Sequence, residues 1–179
     1  MDKRKPEIIK IYLAGSLPKG KEEEETFVNW KHRYKSVLQT TSTHIDFLDP
    51  EDDRPSEGDA KGVFGKDCFQ IKNCDLVLVN AEHPLGPGTS MECLIAKYFA
   101  KPVLLILPID SPHRKSRLLF EEEVVEDWKH PFLVSSADYI FESVEECAHQ
   151  NFEELCSKEA KTLSIIDEAL AYFEKIKKI

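Results

Sequence analysis

The run Gly86-Pro87-Gly88-Thr89-Ser90-Met91-Glu92 has the residue types of a ligand-binding turn that leads into a helix. Its glycines let a backbone approach a ligand closely, and the unpaired N–H groups at a helix start can bind an anion. Glu92 is expected in the first turn of that helix, beyond the carboxyl end of a strand. Thr89 and Glu92 also have the spacing of a capping box, in which the glutamate only closes the helix start. The residues alone leave the functional and the structural interpretation open.

A second carboxylate, Asp67, is predicted on the inner face of another helix. Phe64, Asp67, Cys68 and Ile71 follow i, i+3, i+4, i+7 spacing, so Asp67 falls within an apolar stripe. A buried carboxylate without a partner is costly, and we expect Asp67 either to be hydrogen-bonded to a neighbouring loop or to have a raised pKa. Tyr12, near the end of the first predicted strand, could reach the same crevice or could be a core tyrosine bonded to backbone.

Ser16, Lys19 and Gly20 follow the first predicted strand in a small polar loop. The hydroxyl, ammonium and backbone N–H groups of such a loop can bind a phosphate. The loop lacks the GxxxxGK[ST] spacing of a P-loop, and it lacks GxGxxG, which argues against a nicotinamide-dependent dehydrogenase. A second basic segment, residues 113–115, could contact an anion or could be solvated surface charge.

An acidic loop could collect a divalent cation or could simply lie in solvent. Its carboxylates are those of Asp49, Glu51, Asp52 and Asp53. The six histidines have no metal-ligand spacing, and the five cysteines have no CxxC spacing, so reduced and packed thiols are expected. We expect neither a metal nor a cofactor.

Apolar runs that alternate with helical patterns predict the elements that position these residues. Strands are predicted at residues 8–14, 44–48, 76–79, 102–107 and 138–141, and helices at 22–39, 63–73, 90–100, about 118–128 and from 143 onward. Wholly apolar strands are typical of a parallel sheet covered on both faces, so the sequence predicts a doubly wound α/β fold. Ligands bind at the carboxyl ends of such strands. The loops expected there are 15–20, 49–55, 80–88 and 108–115.

The whole chain, 1–179, is predicted to form one domain of this kind. In its tail, Leu163, Ile166, Leu170 and Phe173 follow i, i+3, i+7, i+10 spacing and form one apolar stripe. Such a stripe must be covered. We therefore expect the C-terminal helices, about 143–179, to pack on the sheet or on a neighbouring subunit.

The charge balance bears on possible partners. The 24 basic and 33 acidic residues give a net charge of −9, which argues against binding to a nucleic acid polymer. No run approaches the ~18–20 apolar residues of a membrane helix, so no membrane association is expected. Lys10 interrupts the first apolar run, which is too short for the core of a signal peptide. A cytoplasmic location is predicted.

Several segments taken together resemble the nucleoside 2-deoxyribosyltransferase superfamily, which includes the nucleoside 5′-monophosphate N-glycosidases. The segments are Ile11-Tyr12-Leu13-Ala14-Gly15-Ser16, then Asp67-x-x-x-Ile71-x-x-x-Asp75-Leu-Val-Leu-Val, then Gly88-Thr89-x-x-Glu92 with Ala96 and Lys101-Pro102-Val103. The resemblance extends over residues 8–107 and is specific in order and spacing. Beyond residue 107 the match is loose.

The resemblance implies a flavodoxin-like sheet of about five strands and a homo-oligomer whose neighbours complete each other's sites. It also implies that Glu92 is the nucleophile, that Asp67 contacts the base or assists its departure, and that Tyr12 orients the nucleophile. Ser16 and Gly20 fall where the monophosphate hydrolases hold the 5′-phosphate. The full set expected to bind substrate is Gly15, Ser16, Lys19, Gly20, Gly88 and Thr89.

One position departs from the pattern of the classical transferases. They carry a base-reading aspartate six residues before the nucleophile, where this sequence has Gly86. The predicted function is cleavage of the N-glycosidic bond of a nucleoside or 5′-nucleotide, with the sugar passed to water or to another base. The alternatives are a catalytically silent nucleotide-binding module and an NAD glycohydrolase.

Overall fold

Five parallel strands form the central sheet of the computed structural model, which describes residues 8–18, 21–25, 27, 29–41 and 43–177. The strands are β1 (Ile9–Ala14), β2 (Ile45–Leu48), β3 (Leu76–Asn80), β4 (Val103–Ile106) and β7 (Tyr139–Phe141). Their order is β2-β1-β3-β4-β7. All residues of β3 and β4 are buried, as expected for strands covered on both faces. The predicted doubly wound, flavodoxin-like α/β fold is confirmed.

Helices cover both faces of the sheet. One face is covered by α2 (Trp30–Leu38), α6 (Val144–Ala148) and α7 (Phe152–Ser157), whose buried residues belong to one hydrophobic core cluster. The opposite face is covered by α3 (Ala60–Asn73), α4 (Pro87–Tyr98) and α5 (Pro131–Ser136), whose buried residues belong to a second core cluster. Two further helices, α1 (Lys21–Glu24) and α8 (Ser164–Ile176), contribute to neither cluster among the described residues.

The alternation of side chains along β1 decides which residues can meet. Ile9, Ile11 and Leu13 point into the core on the α2 side, whereas Tyr12 and Ala14 point into the core on the α3 and α4 side. Tyr12 is therefore placed on the face of the sheet from which helix α4 presents its own residues.

The helix predicted at 22–39 is wrong as one element, because α1 ends at Glu24 and α2 begins at Trp30. Asn29 is the N-cap of α2, and its side-chain oxygen accepts a hydrogen bond from the backbone N–H of Lys31 (3.1 Å). An asparagine N-cap marks a helix start, and the glutamate-rich run before it concealed that signal.

The helix predicted at about 118–128 is also wrong. Residues there form an antiparallel hairpin of β5 (Arg114–Phe120) and β6 (Glu123–Lys129), a separate two-stranded sheet. Most residues of both strands are exposed or half-buried. The hairpin is inserted between β4 and α5, so the chain returns to the main sheet only at β7.

Helix α8 leaves its apolar stripe uncovered. It has no buried residue, and Ile166, Leu170 and Phe173 are each more than half exposed. Packing of this stripe on the sheet is therefore wrong, whereas contact with a second subunit stays a prediction.

All five cysteines are free thiols, and three of them, Cys74, Cys93 and Cys147, are buried. Within the part of the chain that the structure describes, no helix combines the length and apolarity needed to cross a bilayer.

Candidate active site

A cleft of about 680 Å³ opens beyond the carboxyl ends of β1, β2 and β3, on the side of the sheet that carries α3 and α4. It is lined by Gly15, Ser16, Leu17, Pro18, Pro50, Glu51, Arg54, Glu57, Asp67, Gly86, Pro87, Gly88, Thr89 and Glu92. The crevice expected from the strand order is therefore present. All described residues of the predicted site line it except Tyr12, which lies directly beneath Glu92.

Tyr12 and Glu92 form the central contact of the cleft. The Tyr12 hydroxyl donates a hydrogen bond to Glu92 Oε1 at 2.8 Å, across 80 residues of sequence. Tyr12 is fully buried, and its contact fixes one oxygen of a carboxylate that is only half-buried. The second oxygen, Oε2, accepts no hydrogen bond from the residues that the structure describes. The carboxylate thus has one anchored and one free oxygen at the cleft.

The capping-box interpretation of Glu92 is wrong. Helix α4 begins at Pro87, three residues earlier than predicted, with Gly86 as its N-cap and no side-chain capping bond. Proline is favoured at the first position of a helix because its missing N–H would be unpaired there anyway. Thr89 lies buried in the first turn, and Glu92 lies in the second turn rather than the first.

Burial raises the pKa of Glu92 to about 7. The hydrogen bond from Tyr12 opposes this rise, the nearby charge of Asp67 adds to it, and the charges of Arg54 and Lys31 lower it. Near neutral pH the carboxylate and the carboxylic acid are therefore both populated. A nucleophile with such a pKa gains its active form as the pH rises through 7.

Asp67 lies on α3 and lines the same cleft. Burial raises the pKa of its carboxyl group, and Arg54 and Lys66 partly oppose this. Within the described residues Asp67 makes no hydrogen bond, so it does not cap a loop. The stripe predicted around it is only partly correct, because Phe64 is half exposed whereas Ile71 is buried.

The loop after β1 is held by two hydrogen bonds and packs closely against Trp30. The Ser16 hydroxyl donates to the Pro84 carbonyl, and Trp30 Nε1 donates to the Ser16 carbonyl at 3.1 Å. A Cβ atom on Gly15 would lie 2.6 Å from Trp30 Cζ2, so only glycine fits there. Lys19 and Gly20, expected in the same loop, lie outside the described residues. Gly88 has open space around it at the mouth of the cleft.

The acidic loop after β2 does not present a cation site. Lys31 Nζ donates to Asp49 Oδ1 and to Glu51 Oε2, both at 2.6 Å, and Lys35 Nζ donates to Asp49 Oδ2 at 2.8 Å. These lysines neutralise the carboxylates of Asp49 and Glu51. No cluster of three or more His, Cys, Asp or Glu side chains suited to a metal is found among the described residues.

Neither interpretation of residues 113–115, an anion contact or solvated surface charge, holds for Arg114. Arg114 is buried, pairs with Asp127 and donates to the Leu107 carbonyl at 3.1 Å. His113 Nε2 accepts from the Leu85 backbone N–H at 3.0 Å. These residues hold the base of the hairpin against the sheet instead of facing the cleft.

Sequence reasoning missed Arg54, which lines the cleft beside Asp67 and Glu92. It is the basic residue at the end of the acidic run Glu51-Asp52-Asp53, in a loop predicted to be polar and solvated. The sequence signal that could have identified Arg54 was a single basic side chain in the loop at the carboxyl end of β2.

No protein-family model matches the sequence, and neither does any curated protein. The structure is similar to that of a 2-deoxyribosyltransferase from Bacillus psychrosaccharolyticus, with a TM-score of 0.51 and 20% identity over 86% of this chain and 98% of that one. It is also similar to a conserved protein from Enterococcus faecalis V583, with a TM-score of 0.54 and 19% identity over 79% of this chain and 95% of that one. The resemblance of the sequence is thereby confirmed at the level of the fold: this chain has the α/β fold of a 2-deoxyribosyltransferase.

Proposed function

We propose that the chain is an enzyme of the nucleoside 2-deoxyribosyltransferase superfamily that breaks the N-glycosidic bond of a nucleoside or nucleoside 5′-monophosphate. The observation that carries the proposal is the half-buried Glu92, whose one oxygen is held by Tyr12 at 2.8 Å while its other oxygen is free at a cleft. A carboxylate in this state suits covalent attack on a sugar.

The reaction begins with Glu92 ionised. Its free oxygen forms a bond to the anomeric carbon of the sugar while the bond from that carbon to the base nitrogen breaks, and the electron pair of the broken bond stays on the base. Tyr12 keeps the carboxylate in place. Asp67, the second carboxyl group of the cleft, supplies a proton to the departing base, and burial raises its pKa above the ordinary value.

The second half of the reaction releases the sugar from Glu92. Water, or a second base, attacks the anomeric carbon, the bond to Glu92 breaks to restore the carboxylate, and the proton that the attacking group loses passes to the Asp67 carboxylate, which gave up its own proton in the first half. Gly86 occupies the position where the classical transferases carry a base-reading aspartate, and a Cβ there would meet open space. The proposed reaction therefore includes both water and a second base as acceptors of the sugar.

Incubation of the protein with a panel of single nucleosides and 5′-monophosphates tests the proposal by chromatography of free bases. A hydrolase releases base from one substrate alone, whereas a strict transferase requires an added second base. The Glu92→Gln variant should lose about 10³-fold or more of the wild-type rate, because the amide is not a nucleophile. Glu122→Gln, in the exposed turn between β5 and β6, is the matched control.

The alternatives give different outcomes in the same assay. Release of nicotinamide from NAD, with no base released from nucleosides, would indicate an NAD glycohydrolase. Binding of nucleotides that survives in Glu92→Gln, with no base released by the wild type, would indicate a silent binding module. No release and no binding would refute the proposal together with both alternatives.

We also propose that the protein is a cytoplasmic homo-oligomer. Five free thiols are typical of a reducing compartment, and the uncovered apolar stripe of α8 is a surface that a second copy could bury. Light scattering after size exclusion measures the mass. A monomer at micromolar concentration would contradict the oligomer.

A further inference from the structure

Arg54 lines the cleft but has no part in the reaction steps given above. Among the described residues that line the cleft it is the one basic side chain, and it lies with four carboxylates, those of Glu51, Glu57, Asp67 and Glu92. A single positive charge among four acidic groups, at the place where a bond is proposed to break, calls for a chemical explanation.

The guanidinium of Arg54 forms an ion pair with Glu57, but its N–H donors make no hydrogen bonds to the described residues. Its Nε lies 2.8 Å from Glu57 Oε1, an ion pair without hydrogen-bond geometry, and its terminal nitrogens make no hydrogen bond to the described residues. The side chain is 27% exposed. By contrast, Arg33 donates to Glu82 and Glu145, and Arg114 donates to Asp127 and a carbonyl. Arg54 therefore retains donors for a ligand.

The loop that carries Arg54 is fastened from several directions. The buried Lys31 and the half-buried Lys35 bind the Asp49 carboxylate. Gln70 Nε2 donates to the Asp49 carbonyl at 3.1 Å, and Lys66 Nζ donates to the Pro50 carbonyl at 2.8 Å. These contacts fix the start of the loop, four to five residues before Arg54, and thereby limit the conformational freedom that its planar guanidinium loses on binding.

We propose that Arg54 is a catalytic residue that holds the leaving group: its guanidinium donates hydrogen bonds to the acceptor atoms of the nucleobase and stabilises the charge that the base gains. The inference rests on the proposed function. As the bond between the anomeric carbon and the base nitrogen breaks, its electron pair passes to the base. Arg54 stabilises this anion until Asp67 or water supplies the proton, and no other co-reactant is needed.

The surroundings of Arg54 favour the base over a 5′-phosphate. A phosphate dianion would meet the Glu57 carboxylate, which pairs with Arg54, and that of Glu92, whereas a neutral base becomes negative only in the transition state, where interactions accelerate the reaction. The charge of Arg54 also lowers the pKa of Tyr12, Asp67 and Glu92, so it acts at the reacting centre.

The test compares a poor and a good leaving group on the same sugar. For a pyrimidine-releasing enzyme the pair is 2′-deoxyuridine and its 5-fluoro analogue, whose fluorine withdraws charge from the base. For a purine-releasing enzyme it is 2′-deoxyinosine and its 7-methyl derivative, whose base leaves as a neutral molecule. Arg54→Gln should lower kcat/KM about 10²-fold on the poor leaving group, as expected for loss of one transition-state donor, and less than about tenfold on the good one. Arg54→Lys, which keeps the charge without the planar fork, should lie between.

Arg117→Gln is the matched control, since Arg117 is an exposed arginine on β5 outside the cleft. An equal loss on both leaving groups in Arg54→Gln would overturn the inference, and so would a loss confined to substrates that carry a 5′-phosphate. If the wild-type protein releases no base from any substrate, the proposed function fails instead. The two failures are therefore distinguishable.

Discussion

The hydrogen bond from Tyr12 to Glu92 should hold the pKa of Glu92 near neutrality, and Tyr12→Phe removes that bond alone. The phenol ring is fully buried in the core between β1, α3 and α4, and phenylalanine keeps the ring and its packing. The hydroxyl donates to the charged form of Glu92. Its loss should therefore disfavour ionisation and raise the pKa of Glu92 above about 7.

The size of the shift follows from the strength of the bond. A hydrogen bond to a charged group contributes about 1.5–3 kcal/mol. One pH unit corresponds to about 1.4 kcal/mol, so the titration of Glu92 should move upward by about one to two units. In the proposed function the ionised form of Glu92 is the nucleophile, so the rising limb of the pH–rate profile should move in the same direction.

Carbon-13 NMR of protein labelled at the glutamate carboxyl carbons measures the shift without any substrate. Glu92→Gln identifies the resonance by its disappearance. Tyr98→Phe is the matched control, because Tyr98 is exposed on α4 and distant from the cleft lining. A midpoint for Glu92 in Tyr12→Phe that equals the wild-type midpoint, or lies below it, would refute the reasoning about this bond.

Further predictions concern stability, measured by chemical unfolding. Gly15→Ala should destabilise the protein by about 1–3 kcal/mol, because the new methyl group overlaps Trp30, whereas Gly65→Ala, in a helix with open space, should stabilise it by about 0.5–1 kcal/mol. Lys31→Met should cost about 3 kcal/mol at pH 7 and less in acid. The lowered pKa of Asp49 contributes stability above its ordinary pKa that is lost as the pH falls through the native value. Glu92→Gln should be more stabilising at pH 8 than at pH 5, because a raised pKa makes ionisation of Glu92 unfavourable to the native state as the pH rises.

The central strands β3 and β4 could be predicted from sequence because burial on both faces leaves wholly apolar runs, as in Leu76 to Val79. The hairpin could not, because little of it is buried and its apolar residues have no clear period of two. Its turn also lacks the usual signal: Glu121, not glycine or asparagine, takes the positive φ of 51°. A turn of this kind is specified by the surrounding chain and not by its own residue types.

The residues of the site divide in the same way. Glu92, Asp67 and Tyr12 could be predicted because each lies on a strand or helix whose pattern is local. Arg54 could not, because its position depends on the contact of Lys31 with Asp49 and on that of Lys66 with Pro50, which join separate elements. No local pattern encodes such contacts.

The acidic groups of the cleft lower the stability of the native state when they ionise, and the proposed chemistry explains their presence there. Burial raises the pKa of Glu92 and of Asp67, and the charge of Asp67 raises that of Glu92 further, so ionisation of Glu92 disfavours the native state. The core on either side of the sheet does not need these carboxylates, since β3 and β4 are buried without them. Acidic groups with raised pKa values that gather in a cleft are typical of catalytic sites. In the proposed function Glu92, anchored by Tyr12, attacks the sugar and Asp67 donates a proton to the base, which divides the two tasks that cleavage of a glycosidic bond requires.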